Sequence, residues 1–203
     1  MGPLKAKWDD LSLKVLGELE LPPSRVLCWF DDKLDSEHLC CPSVPAVFLP
    51  LKGNKGNRER RPRDVKEHVC DEDGEMRDAL VYLSGYACLP RDDVFFVMTF
   101  AHELQHFVQW GHSPESWKQC LHGFPGTGRW DVPTERDALI ASRRITIKVI
   151  APDAVAAYAQ MKIDKGADTA YWSLFQSISP FEQYDWVGET ERLTTQNRSQ
   201  ASR

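Results

Sequence analysis

The run His102-Glu103-Leu104-Gln105-His106 holds the residues of this sequence whose types and spacing most directly suggest chemistry. If the run is helical, its two histidines lie roughly 6 Å apart along the helix axis and about 40° apart around it, so both imidazoles can reach one metal ion. Neutral imidazoles suit zinc, which prefers nitrogen and sulfur ligands in tetrahedral geometry. The adjacent carboxylate of Glu103 is placed to take a proton from a zinc-bound water.

The stretch from residue 92 to residue 111, DDVFFVMTFAHELQHFVQWG, is predicted to be the helix that carries this run. Asp92 and Asp93 can cap its N-terminus, and Gly111 can end it. Apolar residues recur at helical spacing along one face of it, namely Val97, Phe100, Ala101, Leu104 and Val108. The alternative is a surface helix with two solvated histidines, but the strongly apolar face beside the motif favours a metal site.

A catalytic zinc usually takes three protein ligands and keeps a fourth position for water, so a third ligand is expected. His112 is one candidate because it follows His102 by ten residues (112 − 102 = 10), the spacing of the metzincin motif HExxHxxGxxH. That motif needs a glycine at the position held here by Gln109, where the chain must turn sharply. The only plausible Met-turn residue, Met161, lies in a helical-looking stretch.

Glu135 is the other candidate, 29 residues after His106 (135 − 106 = 29). It belongs to a second predicted helix that starts with Pro133 and reads PTERDALIASRR. Such a helix can deliver a carboxylate from its N-terminal turn, although a glutamate there is also an ordinary partner of the helix dipole. We therefore prefer Glu135 and keep His112 as the alternative. Asp131 or Asp137 is a candidate to orient a ligand histidine.

The pattern Glu135-Arg136-Asp137-Ala138, taken with the HExxH run, resembles the ImmA/IrrE-type metallopeptidases, which are gluzincin-like members of the zincins. The string AHELQHFVQ is also similar to the active helix of zincin domains attached to bacterial toxins. The resemblance covers roughly residues 80 to 150, and Leu139 stands where thermolysin-like enzymes have an acidic residue. It implies a zinc metalloendopeptidase, regulatory or toxin-like, in which the small Ala138 lets two helices approach closely.

In zincin peptidases the strand before the active helix commonly forms the sheet edge that pairs with an extended substrate. The corresponding run here, ALVYLSG from residue 79 to residue 85, is predicted to be a strand. The resemblance therefore implies a substrate-binding edge strand that contains Leu80, Val81, Tyr82 and Leu83. An ordinary core strand is the alternative.

The remaining pattern predicts an α+β fold with a small mixed or antiparallel sheet packed on the active-site helix and a mainly helical C-terminal half. The resemblance implies that this fold is zincin-like. Outside the active-site region we expect helices over 5–20, 133–149, 152–165 and 167–179, and strands over 25–30 and 44–51. Pro45 and Pro50 place the second of these strands towards a sheet edge. A single domain is predicted over 1–188, with a disordered polar tail over 189–203.

Composition excludes some classes of protein. A net charge of −5 argues against a surface built for nucleic acid, and no segment approaches the run of about 20 apolar residues that spans a membrane. The N-terminus lacks a signal peptide, so we expect a cytoplasmic protein, or one delivered as an effector, with reduced thiols. The six cysteines of the chain form no CxxC pair, and a metal cluster at His38-Leu39-Cys40-Cys41 is disfavoured.

Three functions are therefore compared. The preferred function is a zinc-dependent metalloendopeptidase that acts on a protein or peptide substrate. The alternatives are a zinc-binding, non-catalytic interaction module and a nucleic-acid-associated regulator that uses the basic loop over 52–66. That loop has seven basic and two acidic residues but no aromatic one, which makes nucleic acid an unlikely partner. The sequence does not rank the candidate oxyanion donors, which are His122, Tyr158, Tyr171 and Tyr184, and it leaves the oligomeric state open.

Overall fold

The computed structural model describes residues 3–30, 46–51, 70, 73–83, 92–121, 123–124 and 126–201. The chain divides into two compact units, Met1–Phe107 and Val108–Arg203, and the single domain expected over 1–188 stays a prediction. The basic loop at 52–66, the run from His38 to Cys41, and His122 lie outside the described residues. None of the described helices combines the length and the apolar character needed to cross a membrane.

The first unit contains helix α1 (Pro3–Glu18), strands β1 (Val26–Phe30), β2 (Ala46–Pro50) and β3 (Ala79–Leu83), and most of helix α2 (Asp93–His112). The helical spacing of Trp8, Leu11 and Val15 predicted α1, and all three side chains are buried. Trp8 stacks on Phe96 of α2 with ring centroids 5.6 Å apart. The apolar face of α1 therefore covers the N-terminal half of α2.

The described strands form one small mixed sheet in the order β1-β3-β2. β1 runs parallel to β3 with Val26 opposite Ala79, and β2 runs antiparallel to β3 with Ala46 opposite Leu83. The expected α+β class with a small sheet is confirmed, and so is the position of β2 at a sheet edge. The zincin-specific features of that expectation stay a prediction.

The prediction of a substrate-binding edge strand over Leu80, Val81, Tyr82 and Leu83 is wrong. These residues belong to β3, the central strand, whose backbone pairs with β1 on one side and β2 on the other. All five β3 residues are 0 % exposed. An unbroken apolar run without polar alternation is typical of a strand covered on both faces, and a strand paired on both sides cannot add a substrate strand.

The second unit is helical, as predicted for the C-terminal half. After the end of α2 come α3 (Pro114–Cys120), α4 (Pro133–Val149), α5 (Pro152–Asp164), α6 (Thr169–Ser177) and α7 (Trp186–Ala201). Helices α4, α5 and α6 lie where hydrophobic spacing and prolines predicted them. The seven-residue α3 was missed, because a helix of two turns is too short to show a period.

The prediction of a disordered tail over 189–203 is also wrong, because residues 186–201 form α7. The helix starts where the Asp185 carboxylate accepts a hydrogen bond from the Gly188 amide at 3.0 Å. Trp186 and Thr190 are buried, and the Thr190 hydroxyl lies 3.2 Å from Sγ of Cys120 in α3. Packing of this first turn stabilises a helix whose later residues alone look too polar to fold.

Candidate metal centre

Helix α2 is a rigid support for the HExxH run. Asp92 caps it, since its carboxylate accepts a hydrogen bond from the Phe95 amide at 3.2 Å. Phe96, Phe100 and Leu104 are each 0 % exposed, so the face opposite the motif is fixed in the core of the first unit. The helix runs without a break from Asp93 to His112 and passes Gly111, where the sequence predicted its end.

The two histidines of the motif lie against each other on α2. Their ring centroids are 4.8 Å apart and the ring planes are perpendicular, at 90°. His106 is buried, whereas His102 and Glu103 are half-buried. This spacing is the one that the helical repeat predicted.

Glu135 lies close to the two histidines and is the candidate third ligand. Pro133 begins α4, and Glu135 is the acidic residue in the first turn of this helix. The ligand atoms of His102, His106 and Glu135 all lie within 4.8 Å of one another. The structure therefore joins the preferred three residues in one group.

The donor set of this group fits a zinc ion. Zinc bonds to imidazole nitrogen and carboxylate oxygen at about 2.0–2.2 Å, so three tetrahedral ligand atoms lie about 3.3 Å apart. Starting from separations of at most 4.8 Å, modest side-chain rotations bring the three atoms to that spacing. Two imidazoles and a carboxylate also suit other transition metals, so the donor set supports a transition-metal site in general.

His112, the alternative ligand, lies elsewhere. In a continuous helix it is about 9 Å along the axis and about 120° around it from His106. Its side chain is exposed, with its ring 6.3 Å from that of Trp186. The metzincin arrangement needs the chain to leave the helix near residue 109, and α2 continues through that position.

Gln109 is a residue that the sequence analysis considered only as a missing glycine. Its side chain is 0 % exposed. Its Nε2 donates to the backbone carbonyl of Thr134 at 2.9 Å and to Oδ2 of Asp137 at 2.7 Å. Gln109 therefore fastens α2 to the first turn of α4, the turn that carries Glu135. Asp137, offered by the sequence as a group that orients a histidine, accepts this hydrogen bond.

A cation lies beside Glu135 and is followed by two aromatic rings that contact each other. Arg129 belongs to the 3-10 helix Arg129–Asp131 that precedes α4, and its Nε is 3.8 Å from the buried Oε2 of Glu135. Its guanidinium lies 4.7 Å from the centroid of the Trp130 ring, and that ring is 4.7 Å from the ring of Tyr171. Asp131, the other candidate to orient a histidine, is exposed.

The three candidate tyrosines occupy different surroundings. Burial raises the pKa of Tyr171, and the Glu135 carboxylate adds to this rise while Arg129 opposes it. Burial raises the pKa of Tyr184 to about 12, with Glu189 as the next cause. Tyr158 packs edge-on against Trp172 at 5.5 Å and lies under Lys162. Tyr171 is thus the candidate whose pKa is affected by Glu135, the candidate metal ligand.

Neither protein-family models, nor curated proteins, nor solved structures match the chain. The resemblance to the ImmA/IrrE-type metallopeptidases therefore depends on the motif residues themselves.

Proposed function

We propose that the chain is a zinc-dependent metalloendopeptidase of the gluzincin type, in which His102, His106 and Glu135 hold the metal and Glu103 is the general base. The observation that carries the proposal is the convergence of the three ligand atoms within 4.8 Å, with Glu103 next to the first ligand. An HExxH run alone leaves the third ligand undecided. A glutamate from the start of a second helix is the arrangement that the resemblance implies.

The chemistry divides between the metal and the chain. When bound, zinc supplies a Lewis acid for the scissile carbonyl and lowers the pKa of a coordinated water. Glu103 accepts a proton as the water oxygen bonds to the carbonyl carbon. It then gives that proton to the amide nitrogen as the C–N bond breaks, so the products are a carboxylic acid and an amine.

The chain also fixes the geometry in which this transfer occurs. The buried face of α2 holds His102, Glu103 and His106 on one rigid helix, and Gln109 holds the first turn of α4. Catalytic groups fixed before the substrate arrives lower the barrier because little ordering is needed during the reaction. The contacts of α2 are thus the part of the fold on which the proposed activity depends.

The substitution Glu103→Gln tests the proposal. The amide keeps the size of the side chain but cannot accept the proton, and Glu103 is not a metal ligand in this scheme. We expect one zinc per chain, as in the wild type, and cleavage of an unstructured peptide library reduced by about 10²-fold to 10⁴-fold. Zinc is measured by elemental analysis and cleavage by mass spectrometry.

Glu115→Gln is the matched control, since it makes the same chemical change on the exposed face of α3, where Glu115 pairs with Lys118. Cleavage should stay at the wild-type rate in this variant. Equal cleavage by wild type and Glu103→Gln would contradict the assigned base. A wild type that holds zinc but cleaves nothing would favour the non-catalytic interaction module.

A further inference from the structure

We infer that Arg129 is a specificity-determining residue that binds a substrate carboxylate beside the scissile bond, so that acidic peptides are the preferred substrates. The inference rests on the proposed function and names its substrate class. It follows from three properties of Arg129, which are its support, its charge surroundings and its distance from the metal group.

Arg129 is exposed yet held in place. Its side chain is 71 % exposed, and its guanidinium lies 4.7 Å from the centroid of the Trp130 ring. The ring of Trp130 is itself 4.7 Å from that of Tyr171 on α6. The aromatic ring that contacts the guanidinium is therefore held by packing against a second helix. A cation placed in this way reaches solvent while losing little further freedom when it binds an anion.

The charges around Arg129 favour an additional anion. Arg129 forms an ion pair with the proposed metal ligand Glu135. The 3.8 Å between its Nε and Oε2 of Glu135 is longer than a hydrogen bond. A divalent cation held by Glu135 carries two positive charges against the single negative charge of that carboxylate. The guanidinium then faces a centre of net positive charge, and a bound substrate carboxylate reduces the repulsion between these two positive charges.

The distance places this anion close to the reaction. Glu135 lies within 4.8 Å of both ligand histidines and Arg129 lies 3.8 Å from Glu135, so a group bound by Arg129 sits within a residue or two of the hydrolysed bond. A guanidinium binds a carboxylate through two parallel hydrogen bonds. That carboxylate belongs either to an Asp or Glu side chain or to the peptide C-terminus.

Paired peptides separate these two sources. One series replaces Glu by Gln at each position around the cleaved bond, and the other compares a free C-terminus with a C-terminal amide. Binding is measured on zinc-loaded Glu103→Gln protein, and kcat/KM is measured on the wild-type background. We expect one acidic position to strengthen binding and raise kcat/KM by about tenfold over its neutral partner, the effect of roughly one charge-assisted hydrogen bond.

Arg129→Gln should remove this preference without changing zinc content, and Arg129→Glu should turn it towards Lys-containing peptides. Arg144→Gln is the matched control, because Arg144 is an exposed arginine on the same helix as Glu135 but about 13 Å further along it. This control should keep the full preference for acidic peptides.

Equal binding of acidic and neutral peptides overturns the inference, and so does a preference that survives Arg129→Gln. Zinc loss in Arg129→Gln, with an unchanged acidic preference in the zinc-loaded fraction, also overturns it, since Arg129 would then only support the metal ligand. If Arg129-dependent binding is found but the wild type cleaves nothing, the carboxylate site stands and the peptidase proposal fails.

Discussion

Glu135 is the residue on which the assignment of the site depends, because the HExxH pair has two candidate partners. Glu135 lies in the first turn of α4, and its ligand atom is within 4.8 Å of those of both histidines. His112 is exposed on the continuous helix α2.

The substitution Glu135→Ala should therefore lower zinc content sharply, since it leaves only two protein ligands. His112→Ala should leave zinc content nearly unchanged, because its ring lies about 120° around the helix from His106. Elemental analysis after dialysis against a weak chelator measures both variants. Zinc loss in His112→Ala with retention in Glu135→Ala would make the metzincin arrangement correct.

Gln109 is the second residue that matters, because it is fully buried and joins α2 to the turn that presents Glu135. Gln109→Met keeps the volume but removes both hydrogen bonds and leaves the Asp137 carboxylate with one donor fewer. We expect a loss of about 1–3 kcal/mol in the free energy of unfolding and weaker zinc binding. Chemical denaturation and zinc titration measure these two effects.

Gln160→Met is the control for that change, since Gln160 makes a similar 2.8 Å hydrogen bond to Asp164 on an exposed face of α5. Its effect should stay within about 0.5 kcal/mol. A Gln109→Met protein with wild-type stability and zinc affinity would show that Gln109 does not position the ligand turn.

Among single residues, the sequence predicted the three members of the metal group but missed Gln109, which joins the two helices that carry them. The spacing of His102 and His106 fixes their relation because one helical turn separates them. Glu135 could be preferred but not chosen, since its approach depends on how two helices pack. Gln109 was missed because its partners, Thr134 and Asp137, are 25 and 28 residues away in the sequence. Its only local signal is an amide on a largely apolar helix.

Among the elements, those with a strong local pattern were predicted and those defined by distant partners were not. Helix α2 follows from its cap and its apolar face. The central place of β3 depends on pairing with β1, about fifty residues earlier, and with β2 on its other side. The sequence of a five-residue apolar strand is similar whether the strand lies at the edge or in the middle of a sheet. For this reason Leu80 to Leu83 were wrongly predicted to form an edge strand.

Helix α7 offers an element-scale prediction. Trp186 is 7 % exposed and forms its first turn, so Trp186→Ala should cost about 3–5 kcal/mol of unfolding free energy and unfold α7 first. Thermal denaturation followed by circular dichroism and hydrogen exchange of residues 186–201 measures this. Phe181→Ala is the control, since Phe181 is 88 % exposed and its loss should be nearly neutral. Full stability of Trp186→Ala would show that the packing of Trp186 does not stabilise α7.

The whole molecule consists of two compact units, each with its own buried aromatic residues. In the first unit, Phe96 and Phe100 of α2 pack against Phe30 at the end of β1. In the second, Tyr171, Trp172 and Phe175 pack together on α6. The abundance of aromatic residues predicted buried aromatic cores. No sequence feature near residue 107 marks the boundary between the two units, which falls within helix α2.

Three of the cysteines belong to the residues that the structure describes, and the reduced state expected for them stays a prediction. Cys28, Cys70 and Cys120 form no disulfide. Burial raises the pKa of the Cys28 thiol to about 12, so this thiol stays protonated and weakly nucleophilic at neutral pH. None of these three thiols belongs to the metal group of His102, His106 and Glu135.

The metal content of the purified wild-type protein tests the central claim most directly. After supplementation with zinc and removal of loosely bound ions, the three ligands should retain one zinc ion per chain, and chelation should lower the thermal midpoint because the metal binds only the folded state. A protein that holds no zinc in stoichiometric amount, with an unchanged thermal midpoint in chelator, would contradict the metal centre and the peptidase activity proposed from it.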